Sequence, residues 1–188
     1  VTNLNDALNA VKKLHYPLVI KVVGPLHKSD VGGVALNIDN ESKLKDEFVR
    51  MMKIPETKGI LLQPMLSGIE LFIGVKREEK FGHLVVCGLG GIFIEVLKDV
   101  QSALAPVRKE EALDMLSRLK GKKILEGVRG QKGINIESYA EIITRVSALV
   151  TAAPEIAEMD LNPLLGLGEK IVTVDARINI RKRQIFII

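Results

Sequence analysis

The sequence predicts a mixed α/β protein built from two lobes, of which the second is of the α+β type. In the first third of the chain, segments with apolar residues at helical spacing alternate with short apolar runs, as in α/β domains. After Gly68 the pattern changes to strict alternation, which indicates a half-buried antiparallel strand. With 188 residues, 47% of them apolar, the chain can bury a substantial core. We expect lobes over residues 1–65 and 66–178, followed by a C-terminal tail over 179–188.

The first lobe begins with a helix and continues as alternating strands and helices. A polar cap at Thr2 or Asn3 precedes apolar residues at helical spacing, so the first helix starts there. The run around Lys21 is apolar on both faces except for that lysine, which is typical of a buried strand. The predicted elements are a helix over 3–14, strands over 17–24 and 34–38, a helix over 41–52 and a strand over 59–65.

The second lobe follows a hinge over residues 63–68. Its first strand carries Ile69, Leu71, Ile73 and Val75 on one face and polar or small residues on the other. We then expect a strand over 83–88, a glycine turn, further strand through 105, helices over 108–119 and 136–152, and a hairpin over 157–177.

Composition and charge exclude several classes of protein. The formal net charge is a modest +4, only 4% of residues are aromatic and there is no Trp, so a nucleic-acid partner is not expected. No apolar run approaches the roughly 18 residues of a membrane span, so we expect no membrane partner. The single cysteine, Cys87, rules out an internal disulfide framework and fits a core position in a reducing compartment. Together these features predict a cytoplasmic protein.

A histidine in a glycine-containing loop is the strongest candidate for chemistry. His27 stands beside Lys28, Ser29 and Asp30 and shortly before Gly32 and Gly33. A neutral imidazole nitrogen can accept a phosphoryl group, and a neighbouring carboxylate can orient the ring. Flexible glycines allow a loop to approach a phosphate closely.

The strand before this loop contains Lys21, whose ammonium group is placed where solvation is poor. It therefore needs an anionic partner, and nucleotide phosphate is the natural candidate.

Three oxygen donors near the end of the chain suggest a metal site. Asp160 and Asn162 share a face of one strand, and Asp175 lies on the returning strand of the same hairpin. Hard oxygen ligands suit Mg²⁺, which takes few protein ligands and completes its shell with water and phosphates. An alternative is purely structural: Asn162 and Pro163 form a turn that Asp160 caps.

The glycine-rich segment Gly88–Gly91 could cradle an anion through backbone N–H groups. It lacks the spacing of a dinucleotide fingerprint and the Lys-Ser/Thr ending of a P-loop, so a plain turn between strands explains it equally well. Glu95 is the nearby carboxylate, with pairing to a lysine as its structural alternative.

Taken together, three motifs resemble a known family. They are His27–Val34, Gly88–Glu95, and Asp160–Leu164 with Val174–Arg177. In this order they are similar to the ATP-grasp part of NDP-forming acyl-CoA synthetases, such as the ADP-forming acetyl-CoA synthetases, which are relatives of succinyl-CoA synthetase. The resemblance covers nearly the whole chain. It implies an ATP-grasp fold with a nucleotide cleft between two lobes, the first of them incomplete at its N-terminus.

The resemblance also implies an activity. Members interconvert acyl-CoA, ADP and phosphate with free acid, CoA and ATP through phosphohistidine intermediates, which makes them acid-thiol ligases. By match, His27 carries the phosphoryl group to the nucleotide. A CoA-binding and ligase domain, or an alpha subunit, is the implied partner, within a hetero- or homo-oligomer.

The family resemblance assigns roles to further residues. Asp160 steadies the phosphorylated histidine, Asn162 and Asp175 bind Mg²⁺, and Glu70 lies on the ribose side of the nucleotide. The remaining nucleotide contacts are Lys21, Gly32 and Gly33 at the phosphates, Gln63, Pro64 and Met65 beside the adenine, and Gly90, Gly91 and Arg129 as phosphate-loop candidates.

Two alternatives remain open from the sequence. One is an ATP-grasp ligase that forms an acyl phosphate directly, without a phosphohistidine. The other is a regulatory nucleotide-binding module without turnover.

Overall fold

A computed structural model describes residues 1–25, 28–91, 93–128, 130 and 132–181. The chain divides into two compact units, Val1–Leu66 and Ser67–Ile188. No helix among the described residues has both the length and the apolarity needed to cross a membrane.

The first unit is a three-stranded antiparallel sheet with two helices. Its strand order is β2-β1-β3, so β1 is the central strand. Asn3 and Asn40 cap the two helices, because each side-chain oxygen accepts a hydrogen bond from the backbone N–H three residues on, at 2.9 Å. The elements are α1 (Leu4–Leu14), β1 (Leu18–Val23), β2 (Val34–Ile38), α2 (Glu41–Met52) and β3 (Gly59–Pro64). The predicted order of elements in this region is confirmed.

The second unit is built on a larger antiparallel sheet. Strands β6-β5-β4-β7-β8 are neighbours in that order, and β9 also pairs with β7. Its elements are β4 (Ile69–Glu78), β5 (Gly82–Leu89), a π-helical turn (Phe93–Leu97), β6 (Val100–Leu104), α3 (Lys109–Ser117), α4 (Lys122–Glu126), α5 (Ile136–Ala152), β7 (Ile156–Leu167), β8 (Lys170–Thr173) and β9 (Ala176–Ile180).

One face of this larger sheet carries the core. The alternating residues Leu71, Ile73 and Val75 of β4 are buried there, together with residues of β5, β7, α3 and α5. The helices therefore cover one face of β4, β5 and β7. The other face carries the remaining residues of the same strands.

The prediction of continuous strand from the glycine turn through 105 was wrong. The chain forms the π-helical turn Phe93–Leu97 before β6 begins at Val100. The buried carboxylate of Asp99 explains part of this departure, since it accepts hydrogen bonds from the backbone N–H groups of Lys120 (3.0 Å) and Gly121 (2.7 Å). The chain is held at that point by the α3–α4 connection rather than by a strand ladder.

The predicted hairpin over 157–177 is also interrupted. The returning chain forms two strands, β8 and β9, separated by Val174 and Asp175. This break lies beside Asn162 and Pro163, where the proposed metal ligands of the sequence analysis are found.

Candidate functional site

Lys21 lies on the central strand of the first unit and is almost fully buried, with 7% of its surface exposed. Its neighbours in β1, Ile20 and Val22, belong to the core, so the lysine lies on the opposite face. Leu61 of the neighbouring strand β3 lies directly opposite Lys21. The expectation of poor solvation is confirmed, while contact with phosphate stays a prediction.

The three residues predicted to border the adenine lie at the end of β3, which pairs with the strand of Lys21. Gln63 is opposed by Val19 on β1 and therefore shares the face of Lys21. Pro64 ends β3, and the backbone N–H of Met65 donates to the carbonyl of Pro17 at 2.9 Å. Sequence reasoning missed Leu61, an apolar residue on this face with 42% of its surface exposed.

The glycines after the histidine form a compact turn. Gly33 N–H donates to the Lys28 carbonyl at 2.7 Å, and Gly32 has a φ of +66°, which glycine adopts without strain. A Cβ added at Gly33 would lie 2.4 Å from a methyl group of Val22, so this glycine is required by close packing on β1. His27 itself lies outside the described residues.

The open face of the second sheet contains a pocket of about 520 Å³. Gly74 lines it, and the ring of Phe72 lies over this glycine, since a Cβ added there would be 2.5 Å from Cζ of Phe72. The pocket combines an aromatic ring with charges of both signs. Its lining residues include Phe72, Gly74, Lys98, Glu158, Asp160 and Arg177. Such a surface is suited to a ligand with both apolar and anionic parts.

Asp160 is the most unusual group in this pocket. It lies on β7, with Gly74 opposite on β4 and Arg177 opposite on β9. Its Oδ1 atom is buried and has no hydrogen-bond partner among the described residues. Burial raises the pKa of this carboxyl group and Asp175 raises it further, while the charge of Arg177 acts in the opposite direction. A buried carboxylate oxygen without a donor is costly, so the site is suited to a ligand that brings one.

A β-bulge interrupts β7 near Asn162, two residues after Asp160. Leu71 and Ile73 on β4 are two residues apart, but their partners on β7, Leu164 and Leu161, are three apart. The extra residue falls at Asn162 and Pro163, and such bulges redirect side chains. The structural alternative, a turn at this point capped by Asp160, was wrong, because β7 continues to Leu167 and Asp160 makes no cap.

Asp175 meets this bulge from the returning chain. It lies between β8 and β9, and the preceding residue, Val174, donates its N–H to the Pro163 carbonyl at 3.1 Å. The candidate metal ligands Asn162 and Asp175 therefore belong to neighbouring segments of the sheet. Among the described residues no cluster of three or more His, Cys, Asp or Glu side chains could hold a metal ion. A pair of hard oxygen donors fits Mg²⁺ that completes its shell with water and phosphates.

Glu70 and the glycine turn are in direct contact. Gly90 N–H donates to the Glu70 carbonyl at 2.8 Å, and a Cβ added at Gly91 would lie 2.1 Å from a Glu70 carboxylate oxygen. Since a carboxylate repels phosphate, this geometry fits a turn between strands better than an anion cradle. Arg129 lies outside the described residues, as does the side chain of Glu95.

Tyr139, which sequence reasoning missed, supports the site from the core side. Its hydroxyl lies 2.6 Å from the Phe72 carbonyl and 2.9 Å from the Gly88 carbonyl, and it accepts from Gly88 N–H at 3.3 Å. The residue is fully buried, and burial raises the pKa of its phenol well above the usual range, so it remains a hydrogen-bond donor. Tyr139 thus joins β4 to β5 where the glycine turn begins.

Cys87 is a core residue, as expected. It is fully buried on β5, and burial raises the pKa of its thiol to about 12. The thiol therefore stays protonated and is not a nucleophile at neutral pH.

Two cations of the pocket were also missed. Arg177 and Lys98 line it, and neither side chain has a hydrogen bond or ion pair with any residue in the described ranges. Arg177 belonged to a recognised motif, but its position opposite Asp160 depends on the register of β9 against β7. That register is a tertiary property, which motif spacing does not reveal.

Comparison with known proteins identifies relatives along almost the whole chain. A family model described as ATP-grasp domain matches residues 1–180. The beta subunit of ADP-forming acetate–CoA ligase I from Pyrococcus furiosus is 40% identical over 185 residues, which cover 93% of this chain and 80% of that subunit. The ADP-forming 4-hydroxybutyrate–CoA ligase of Nitrosopumilus maritimus is 43% identical over 190 residues, which cover 95% of this chain and 27% of that protein. The chain therefore spans about a quarter of this longer ligase.

Solved structures of one relative share the fold. The dinucleotide-forming acetyl-coenzyme A synthetase 1 of Ca. Korarchaeum cryptofilum, in complex with coenzyme A, Ca-AMPCP and HgCl⁺, has a TM-score of 0.90 at 36% identity, over 96% of this chain and 83% of that one. Its complex with coenzyme A and Mg-AMPPCP, with the phosphohistidine segment pointing towards the nucleotide binding site, has a TM-score of 0.82 at 36% identity, over 96% and 85%. These matches confirm the predicted fold class and family resemblance: the chain belongs to the ATP-grasp domain family, in the group that includes the beta subunits of ADP-forming acetate–CoA ligases.

Proposed function

We propose that this chain is the nucleotide-binding part of an ADP-forming acyl-CoA ligase. In the intact enzyme it transfers a phosphoryl group between a phosphohistidine at His27 and ADP, while acyl-CoA and phosphate are converted to free acid and CoA. The CoA-binding and ligase part is supplied by a partner domain or an alpha subunit. The identity with ADP-forming ligases supports this proposal.

The observation that carries the proposal is the open face of the second sheet. At or beside one pocket lie the buried Oδ1 of Asp160, which has no donor among the described residues, the exposed cations Lys98 and Arg177, and the candidate metal ligands Asn162 and Asp175. Buried polar atoms are normally hydrogen-bonded within the fold, so the unpaired Oδ1 of Asp160 calls for an explanation. This buried acceptor supports a ligand that brings a hydrogen-bond donor to the pocket, where the neighbouring cations favour anionic groups.

In this proposal Asn162 and Asp175 hold Mg²⁺. Both offer oxygen atoms, and they come together at the bulge of β7. When bound, the ion would neutralise phosphate charge. The Mg-AMPPCP complex of the Korarchaeum relative supports a magnesium nucleotide as the ligand.

Asp160 accepts the imidazole N–H of the phosphohistidine. Its buried Oδ1 needs a donor, and the ring nitrogen that does not carry the phosphoryl group supplies one when the phosphohistidine ring is protonated. The carboxylate thus orients the ring during transfer.

The other nucleotide contacts remain proposals from the family resemblance. Lys21 binds phosphate, which suits its buried ammonium group. Gln63, Pro64 and Met65 border the adenine, and Glu70 holds the ribose. Gly32 and Gly33 complete the phosphate side of the histidine loop.

Phosphoenzyme labelling tests the proposal. The intact enzyme, this chain with its CoA-binding partner, is incubated with Mg²⁺ and γ-³²P-labelled ATP. We expect base-stable, acid-labile label on this chain, which His27→Asn abolishes. His15→Asn is the matched control, because His15 is an exposed histidine at the end of α1.

Other outcomes would contradict the proposal in different ways. If His27→Asn keeps full ligase activity while Asp175→Ala loses it, the enzyme forms an acyl phosphate without a phosphohistidine. If calorimetry finds nucleotide binding that is indifferent to Mg²⁺, together with no label, the chain is a regulatory module.

A further inference from the structure

We propose that Lys98 binds the phosphate groups of the nucleotide, and that Asp99 is the positioning residue that fixes Lys98 on the wall of the open-face pocket. The assignment rests on the proposed function and adds two residues to the site. Both lie in the short connection between the π-helical turn Phe93–Leu97 and β6, within the second unit. They are placed there by contacts with β5, β6 and the segment between α3 and α4.

The backbone of Lys98 has an unusual conformation. Its φ is +48°, in the left-handed region that glycine and asparagine enter easily and that other side chains disfavour. Among the described residues of the second unit, Lys98 is the only one other than glycine with a positive φ. Such conformations cost free energy, and they concentrate at sites that hold a ligand. A long cationic side chain at this position therefore indicates a role other than stabilising the fold.

Asp99 holds the chain in this conformation from the core side. Only 5% of its surface is exposed. Its two carboxylate oxygens accept hydrogen bonds from different backbone N–H groups, those of Lys120 at 3.0 Å and Gly121 at 2.7 Å. Hydrogen bonds to an ionised acceptor are stronger than neutral ones, and two of them fix the orientation of the carboxylate. The residue that follows Lys98 is thus anchored to the connection between α3 and α4.

Strands β5 and β6 restrain the same connection from the other side. A Cβ added at Gly88 would lie 2.5 Å from the carbonyl oxygen of Asp99, so the chain passes directly against β5. Val100, which pairs with Gly88, donates its N–H to the Lys98 carbonyl at 3.0 Å. The backbone of Lys98 is therefore fixed before any ligand binds, which lowers the entropy cost of binding.

The side chain of Lys98 lines the open-face pocket. An ammonium group offers three hydrogen-bond donors and a full positive charge, which suit the oxygens of a phosphate group. A structural alternative is that Lys98 offsets the carboxylates Glu158 and Asp160, which line the same pocket. The two roles predict opposite changes in stability. Replacing a strained lysine by a residue that tolerates its φ stabilises the fold, whereas removing a cation that offsets carboxylates destabilises it.

The test compares three variants in the intact enzyme: Lys98→Asn, Lys98→Arg and Lys80→Asn. Asparagine tolerates the positive φ, and arginine keeps both the charge and the strain. Lys80 is the matched control for net charge, since it is exposed in the turn between β4 and β5 and is not among the residues that line the pocket. Calorimetry in the presence of Mg²⁺ measures the affinities for ADP and for adenosine, which has no phosphate. Thermal unfolding measures stability.

We expect Lys98→Asn to weaken ADP binding about tenfold, through loss of a hydrogen bond between charged groups. Adenosine binding should not change. The melting temperature should rise by about 2 °C as the strain is relieved. Label transfer from isolated ³²P-phosphoenzyme to saturating ADP should slow less than about threefold, because the contact is to the bound nucleotide. Lys98→Arg should retain the ADP affinity within about threefold, and Lys80→Asn should change neither affinity.

Asp99→Asn tests the positioning role. The amide keeps one acceptor oxygen, so one of the two backbone N–H groups loses its partner. We expect ADP binding to weaken about fivefold in the wild-type background and not to weaken further in the Lys98→Asn background, since residues that act together are not additive. A purely structural effect of Asp99 would weaken binding by the same factor in both backgrounds.

Several results would overturn the assignment and leave the proposed function intact. They are unchanged ADP affinity in Lys98→Asn, an equal loss for ADP and adenosine, a lower melting temperature of Lys98→Asn, and equal losses from Asp99→Asn in both backgrounds. If the wild-type enzyme binds no ADP, the proposed function itself is wrong, and the role of Lys98 with it.

Discussion

The two faces of the larger sheet are made by the same strands but have opposite character. Towards the helices, β4, β5 and β7 present buried apolar residues, and the hydroxyl of Tyr139 on α5 is hydrogen-bonded to the backbone of β4 and β5. On the open face Gly74 lies under the ring of Phe72, and Oδ1 of Asp160 has no donor among the described residues. The first face is complete within the fold, and the second is where we propose that a ligand binds.

This difference separates residues that stabilise the fold from residues that serve function. Strand alternation places neighbouring residues on opposite faces, so substitutions one position apart test different properties. The experiments below compare such neighbours or matched residues, from the largest expected change in stability to the smallest.

Val85 and Val86 give the most direct comparison. Val85 is fully buried on the core face of β5, whereas Val86 is partly exposed on the open face. We expect Val85→Ala to lower the free energy of unfolding by about 2–3 kcal/mol, through lost burial and a residual cavity. Val86→Ala should cost less than about 1 kcal/mol. Urea denaturation measures both, and equal losses would contradict the assignment of faces.

Tyr139→Phe tests how much the hydrogen bonds of the buried Tyr139 hydroxyl contribute to the stability of the second unit. Loss of the hydroxyl leaves carbonyls of Phe72 and Gly88 without that donor, so we expect a loss of about 1–2 kcal/mol in the free energy of unfolding. The control is Tyr16→Phe, because the hydroxyl of Tyr16 makes no hydrogen bond to any described residue. If both variants unfold at the same urea concentration, Tyr139 does not join the strands.

Asp160→Asn should have the smallest effect on stability, and of opposite sign. Burial raises the pKa of Asp160, so the folded chain keeps this proton to a higher pH than the unfolded chain does. The contribution of Asp160 to stability therefore falls as the pH rises from the ordinary carboxyl range through the raised pKa. The amide removes this dependence, and at pH 7 we expect a gain below about 1 kcal/mol, since the group is only half-buried and solvent screens it.

Unfolding at pH 7.5 and at pH 4.5 checks this prediction, with the smaller gain expected at the lower pH. The exposed Asp46→Asn serves as the control for a general change in net charge. An equal gain at both pH values would show that ionisation of Asp160 is not the cause. Label transfer should be strongly reduced in Asp160→Asn, which would separate the functional role of the group from its effect on stability.

Local patterns allowed much of the fold to be predicted, and the failures have identifiable causes. The alternation after Gly68 indicated β4, and the polar caps indicated the starts of α1 and α2. The π-helical turn was missed because it depends on Asp99, whose hydrogen-bond partners lie more than twenty residues away. The break between β8 and β9 was missed because it reflects the bulge in a neighbouring strand.

In the candidate site, too, local motifs were predicted from the sequence, and arrangements that depend on distant segments were not. The spacing of Asp160, Asn162 and Asp175 suggested that they act together, and the structure brings the second and third to one bulge. The catalytic histidine candidate, His27, was found from its local motif alone. Arg177 received no role from the sequence, since its register against Asp160 could not be predicted from either segment by itself.

By itself the sequence determined the order of most helices and strands, the apolar residues available for two cores, and the family to which the motifs belong. These are local properties, set by periodicity, caps and residue chemistry. The tertiary structure alone decided which polar groups are left without partners and which charges lie opposite each other. Hydrogen-bond satisfaction and cross-strand register depend on segments that are distant in the chain, and they become defined only when the sheet has formed.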